Sequence, residues 1–469
     1  MSDKVLRVGI LTPVRTMDPR GARELVSTLA SAQVYETPYD APKGEGPAVP
    51  LLFEPLQSEG PAVVSARIRP GVTFSDGTPL DPARAAASLS SVDALRERAV
   101  VEAQPDRVVF RLKAPNPRFD LTLTLHHCAI TLDKGGTLLG TGPYVLAPGS
   151  SQAEPRLVKN PRWRGKVSAD EIVFKVYPPN ADGRPEALMA AIASGEVDFT
   201  NMLSRTDAAS VQNVRKLFQP ASATAILFQN TERPALAAPI VRRAVAHAVD
   251  RMAVAQISYT NALAFAASGL LPPTMGTFRD TLGHDPERAK ALFAQAPAPK
   301  PTSLRLATVW APRPYLPNPQ PVAELIAKQL GVLGLDVRIV APASSDEFYR
   351  LTQRGDYDLL LGGWIADTPD PADFLEAVLR SDRVQSTETS SLPRANRARL
   401  RSPEMDEALR LFREDPTAAH RDAVLKLLDD LAPVVPLMYG PSVIVNSWRV
   451  KNLEASWLGV PHFAAAVVD

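Results

Sequence analysis

The stretch 359–374, "LLLGGWIADTPDPADF", decides how the rest of the chain is read. A run of buried-strand residues ends in two glycines and an indole, and three aspartates separated by prolines follow. Asp370 before Pro371 has the pattern of an N-cap with proline at the first helical position. The stretch therefore predicts a strand, a short polar edge and a helix, the βα junction at which open α/β sheets hold ligands.

Outward from this point the same alternation continues. The segments "DPERAKALFAQA", "PQPVAELIAKQLGVLG" and "SDEFYRLTQRG" read as helices, and "SLRLATV", "LDVRIV" and "YDLLLGGW" as strands. The pattern predicts an α/β domain with a mostly parallel sheet. Upstream, "ATAILFQNTERPALAAPIVRRAVAHAVDR" predicts a strand from Ala225 and a helix with Ile240, Val241, Ala244, Val245 and Ala248 on its apolar face. Its charges Arg242, Arg243, Asp250 and Arg251 are expected to form structural ion pairs. Near the N-terminus, "VLRVGIL" reads as a buried strand. A helix from Gly21 follows it, with Leu25, Leu29 and Ala32 on one face. Residues 36–139 read as a small α+β module: "AVVSARIRPGVTFSDGTPLDPARAAASL" alternates, turns at Pro70-Gly71 and Asp76-Gly77, and starts a helix capped by Asp81.

Bulk properties exclude several classes. The chain has 469 residues, 45% apolar and 22% charged, the balance of a folded globular protein of two or three domains. Its 52 Lys and Arg against 51 Asp and Glu leave a formal charge of +1, so neither nucleic acid nor an anionic membrane is an expected partner. One cysteine, Cys128, excludes an internal disulfide, and no metal-ligand spacing or cofactor motif is found. No apolar run approaches the length of a spanning helix. The start "MSDKVLRVGILTPVRTMDP" lacks an apolar segment with a small-residue cleavage site, so no export signal is expected in the chain as written. Nothing calls for more than a monomer.

Local patterns that invite a catalytic reading are weak. His126, His127 and Cys128 are adjacent in "LTLHHCAI", and neighbours in a strand point to opposite faces. "GTGPY" lacks the third glycine and the helix of a dinucleotide loop. His247 sits on the apolar side of its helix.

Taken together, "VGILTPVRTMDP", "RPGVTFSDGTPLDPARAAASL", "GTGPYVL", "LVKNPRWRGKVSADEIVFKV", "ASGEVDFTNM", "ILFQNTERPALAAPIVRRAVAHAVDR", "DPERAKALF", "LGLDVRI" and "GDYDLLLGGWIADTPDPADFL" occur in an order that resembles the family 5 bacterial extracellular solute-binding proteins. These are the peptide- and nickel-binding subunits of ABC importers. The resemblance implies a two-lobed α/β clamshell of the periplasmic-binding-protein type with an extra small α+β domain. Lobe I would comprise 1–35, 140–232 and 440–469, the extra domain 36–139, and lobe II 233–439. It implies a binding protein rather than an enzyme. The solute would be a short peptide or another amine-bearing molecule held in an interlobe cleft, and the partner an ABC permease; no cofactor is expected, and a metal only through a chelator, because the sequence shows no local ligand cluster.

For the site, the resemblance implies that Asp367 accepts the ligand's ammonium group, with Trp364 and Gly363 as its wall. Glu24 and Leu25 would offer backbone bonds, and Tyr439, Phe228 and Asn230 would lie near the pocket; turn formation at Asn230 and core packing at Tyr439 are the competing roles. The short extra domain, in which "QSEGPAVVSARI" replaces the usual aspartate-glycine turn, implies a compact ligand. Family members act in the periplasm. With no export signal expected, a cytoplasmic place of action is the alternative, as a ligand sensor or carrier, or as an enzyme reusing the cleft with Asp367 or a histidine as base.

Overall fold

The computed structural model describes residues 4–469 except 23, 43–45, 181–182, 220, 260–264, 277–278, 310–311, 388–393, 441 and 458. The chain divides into two units, Met1–Gln219 with Ser442–Asp469, and Pro220–Pro441.

The first unit is built on a seven-stranded sheet in the order Tyr144–Leu146, Arg156–Lys159, Glu171–Val176, Val5–Ile10, Phe199–Thr200, Val443–Asn446 and Arg215–Phe218. Val5–Ile10 is the predicted first strand and runs parallel to Glu171–Val176 from Val5↔Glu171 to Ile10↔Val176. Buried Asp198 ties three of these strands at one end. It takes two bonds from the Arg7 guanidinium, at 2.7 and 2.9 Å, and one from Arg449 at 3.2 Å.

The helix predicted from Gly21 begins only at Leu25 and ends at Ser31. Leu25 is exposed rather than on the buried face, because Val26, Leu29 and Ala30 turn inward. The "GTG" of 140–142 serves packing: a Cβ on Gly140 or Gly142 would lie 2.1 or 2.6 Å from the Val34 carbonyl oxygen, so both must be glycine for the chain to pass beneath the helix end.

Within the same unit, a four-stranded antiparallel sheet, Gln57–Gly60, Val63–Ala66, Val108–Leu112 and Ala99–Ala103, has its own core around Phe53, Phe74, Leu89, Phe110 and Phe119. Gly71 and Gly77 take the positive φ that the two predicted turns require, and Asp81 caps helix Pro82–Ser90 by accepting the Arg84 N–H at 2.8 Å.

The second unit carries a five-stranded sheet ordered Asp336–Val340, Ser303–Ala307, Leu359–Ile365, Ala223–Gln229 and Val434–Tyr439. The expected parallel pairs form between Ser303–Ala307 and its two neighbours, but Ala223–Gln229 is antiparallel to both of its own. The sheet is therefore mixed. That pairing also moves the boundary: the division lies at 219/220 and 441/442 instead of 232/233 and 439/440, because Ala223–Gln229 is bonded along its whole length to strands of the second unit.

Helix Pro239–Ala248 buries Val241, Ala244, Val245 and Ala248 of the expected apolar face, while Ile240 is only half-buried. Its Arg242 forms no ion pair in the described structure. The guanidinium donates to the carbonyls of Leu236, Ala237 and Leu431 at 2.7 to 2.8 Å, and burial pushes its pKa down to about 10. Arg251 does meet a carboxylate, Asp280, at 2.9 Å.

Candidate functional site

The strand Leu359–Ile365 runs out of the buried sheet at Trp364, which is half-buried, and Ile365, which is exposed. Its backbone stays paired to the end, Thr224 lying opposite Trp364 on one side and opposite Tyr439 on the other. Opposed residues share a face, so Thr224, Trp364 and Tyr439 stand on the same side of the sheet edge. Two residues further, Asp367 is exposed, and Asp370 is buried as the cap of helix Pro371–Leu379, accepting the Ala372 N–H at 3.0 Å. Asp370 also belongs to a buried cluster with Asp373 and Glu376 around Arg413, whose guanidinium lies 3.5, 2.8 and 2.6 Å from them. These carboxylates hold the helix in place. The exposed Asp367 is the one at the edge.

The glycine pair shapes what lies around this edge. A Cβ on Gly363 would meet the Tyr315 ring and the Thr224 carbonyl, each at 2.5 Å, so only glycine lets the tyrosine lie flat against the strand. Gly440, just past the end of Val434–Tyr439, has the same relation to the Tyr315 backbone, 2.5 Å from its Cα. Burial pushes the Tyr315 phenol up, against the pull of Arg397 and Arg313. On the opposite face, the buried Arg397 packs beside Gly362, donates to the Gly363 carbonyl at 2.9 Å and lies over the Phe228 ring.

The remaining expected residues are placed as follows. Phe228 is fully buried beneath Arg397. Asn230 follows the far end of Ala223–Gln229, about 20 Å along the strand from the Trp364 edge. Its amide donates to the Gly355 and Tyr357 carbonyls at 3.1 and 2.9 Å and accepts the Glu232 N–H, the geometry of a turn residue. The Tyr439 hydroxyl accepts the N–H groups of Ser268 and Gly269, both at 3.2 Å, and so anchors that segment. In the first unit, Glu24 precedes helix Leu25–Ser31 and accepts the Ser27 hydroxyl; the same hydroxyl accepts the N–H of Arg15 and Thr16. The loop after the first strand is thereby fastened to the helix start, with Leu25 exposed beside it.

The catalytic-looking tripeptide folds differently from the strand expected of it. His126–Cys128 is a short 3-10 helix. His126 lies 2.7 Å from the Ser31 hydroxyl, and burial, with the charge of His127, pushes its pKa down to about 3; burial pushes the Cys128 thiol up to about 12. A buried, un-ionised thiol is inert as a nucleophile. Among the described residues no cluster of three or more His, Cys, Asp or Glu is placed to hold a metal, and no helix is long and apolar enough to cross a membrane.

Arg397 and Tyr315 were not legible as site residues. Arg397 lies in "RANRAR", which reads as a solvated basic run, and Tyr315 in a proline-rich turn without periodicity.

Relatives place this architecture. The chain is 29% identical over 432 residues to Di/tripeptide-binding protein 2 of Pseudomonas aeruginosa, covering 85% of this chain and 78% of that protein. It is 27% identical over 339 residues to Heme-binding protein A of Haemophilus influenzae, covering 71% of this chain but only 60% of that one. The dipeptide-binding protein of Pseudoalteromonas sp. SM9913, solved in complex with Met-Leu, superposes with a TM-score of 0.79 over 99% of this chain and 100% of its own, at 20% identity. The sequence profile of the bacterial extracellular solute-binding proteins, family 5 (middle part), matches residues 48–386. With most of its length inside that match and the two-lobed binding-protein fold, the chain belongs to the family 5 bacterial extracellular solute-binding proteins.

Proposed function

We propose that the protein is the solute-binding component of an ABC importer and captures a short peptide or similar amine-bearing solute outside the cytoplasmic membrane. Asp367 receives the solute's ammonium group, and Trp364 supplies an apolar wall. The observation that carries the reading is the exposed Asp367 three residues beyond Trp364, on a strand end braced by Tyr315 and Arg397. A carboxylate on a braced edge can replace the water around a cation without reorganising, and charge-assisted bonds are the strong ones. Family membership and the relative named for di- and tripeptides support the peptide class. The reading assigns binding and release to the protein and no chemical step.

Calorimetry with Ala-Phe and N-acetyl-Ala-Phe tests it. The free amine should bind at least about tenfold more tightly, and Asp367→Asn should remove that difference, consistent with one charged hydrogen bond of about 1.5–3 kcal/mol. Equal binding of the two peptides by the unaltered protein, or an unchanged difference in Asp367→Asn, overturns it.

A further inference from the structure

Arg397 is 9% exposed, and no carboxylate bonds to it among the described residues. Its guanidinium lies 5.7 Å from the Phe228 ring centre and 5.9 Å from that of Phe348. Its two hydrogen bonds go to neutral acceptors, the Gly363 carbonyl at 2.9 Å and the Gln385 Oε1 at 3.2 Å. The other deeply buried guanidinia of this unit are answered more fully. Arg413 meets three carboxylates, Arg251 meets Asp280, and Arg242 is embedded among three backbone carbonyls.

A guanidinium has five N–H donors, so donors remain at Arg397 after two bonds. A buried cation without a counter-ion is costly, and stacking on two rings offsets only part of that cost.

The position of this charge gives it a use. Gly362 and Trp364 are two apart in one strand and therefore share a face, about 7 Å apart along the chain. A Cβ on Gly362 would lie 3.7 Å from Arg397 Nη1 and 3.6 Å from the Phe228 ring. These are ordinary contact distances, so the guanidinium lies directly beside the Gly362 backbone, one short residue's reach from the Trp364 edge.

Building on the site proposed above, we infer that Arg397 selects short peptides that carry a side-chain carboxylate in addition to their terminal one. A carboxylate arriving beside Gly362 supplies the missing counter-ion through the forked N–H geometry that arginine offers and lysine lacks.

The competing role is that of a strut holding the Gly363 carbonyl, and a selectivity ratio separates the two. Calorimetry on the full chain with Ala-Glu, its uncharged near-isostere Ala-Gln, and N-acetyl-glutamate is the test, with Tm recorded for each variant. Ala-Glu should bind about tenfold or more tightly than Ala-Gln. Arg397→Gln should bring that ratio to about one, and Arg397→Lys should lower it while keeping the charge, which preserves the test should Arg397→Gln fail to fold. A ratio near one in the unaltered protein, or a ratio that survives in both variants, overturns the inference. So does an equal loss for both dipeptides with a lowered Tm, the signature of a strut. Arg397-dependent binding of N-acetyl-glutamate with no advantage for free amines would leave the anion site standing and remove the role of Asp367. Amine-dependent binding that is indifferent to Glu against Gln would do the reverse, and binding of none of the probes removes both.

Discussion

Tyr315 lies where a side chain on Gly363 would begin: the Cβ position is 2.5 Å from its ring. The strand that ends in Trp364 is thus covered by a ring that only a glycine admits, and the orientation of the edge depends on the contact. In Gly363→Ala the Thr224 carbonyl, also 2.5 Å away, stops the strand from retreating on the other side. The substitution should cost about 1–3 kcal/mol, the range for overpacking, and weaken solute binding with it. Adding Tyr315→Leu should recover only part of the stability, because the carbonyl cannot move aside. Chemical denaturation of the single and double variants measures this.

The Tyr439 hydroxyl accepts the N–H groups of Ser268 and Gly269, which favours an anchoring role over pocket closure. Tyr439→Phe should lower stability by about 1–3 kcal/mol, the cost of leaving the buried Gly269 N–H unmet. Solute affinity should change by less than about threefold, since the ring stays in place. A large loss of affinity at unchanged Tm would reverse the assignment and make Tyr439 a ligand contact.

Asp198 joins Arg7 from the first strand and Arg449 from beyond Val443–Asn446 within a fully buried carboxylate site. In Asp198→Asn the partly exposed Arg7 and Arg449 lose a charged acceptor, which should destabilise the first unit by about 1.5–3 kcal/mol. The second unit has its own sheet and core. A thermal scan should therefore show an early transition belonging to the first unit only.

His462 lies 3.2 Å from the Asp40 carboxylate. Burial lowers its pKa, but the bond to Asp40 outweighs burial, and the net shift is upward. A raised pKa in the folded state means the pair stabilises fully below the ordinary histidine value, near 6.5, and loses its contribution as pH rises through the folded value. The Tm advantage of the protein over His462→Gln should be present at pH 5.5 and smaller at pH 8.5. An advantage that grows with pH contradicts the pairing.

The elements were legible because their signals are local. Asp81 and Asp370 cap the helices they precede, Gly195 ends its helix in the left-handed conformation, and the apolar spacing of Val241, Ala244, Val245 and Ala248 gives the buried face of theirs. The ordered motifs from "VGILTPVRTMDP" to "GGWIAD" carried the family, since each records a strand end or turn at a set place in one chain. Asp367 could be singled out for the same reason, by its spacing from the Gly-Trp pair.

What no local signal contains is the partner on the other side of a contact. Whether Ala223–Gln229 belongs to one unit or the other depends on which strands it bonds, and its sequence would suit either. The roles of Gly140, Gly142 and Gly363 depend on Val34 and Tyr315, far away in the chain. Leu25 is exposed because its neighbours already fill the interior, and Arg242 and Arg397, alike in sequence, differ in what surrounds them: three carbonyls in one case, two phenyl rings and a bare glycine in the other. By itself the sequence determined the elements, their caps and the family, since backbone propensity and apolar period act over a few residues. The tertiary structure alone decided the unit boundary and the charge beside Trp364, because burial and counter-ions are properties of neighbours in space.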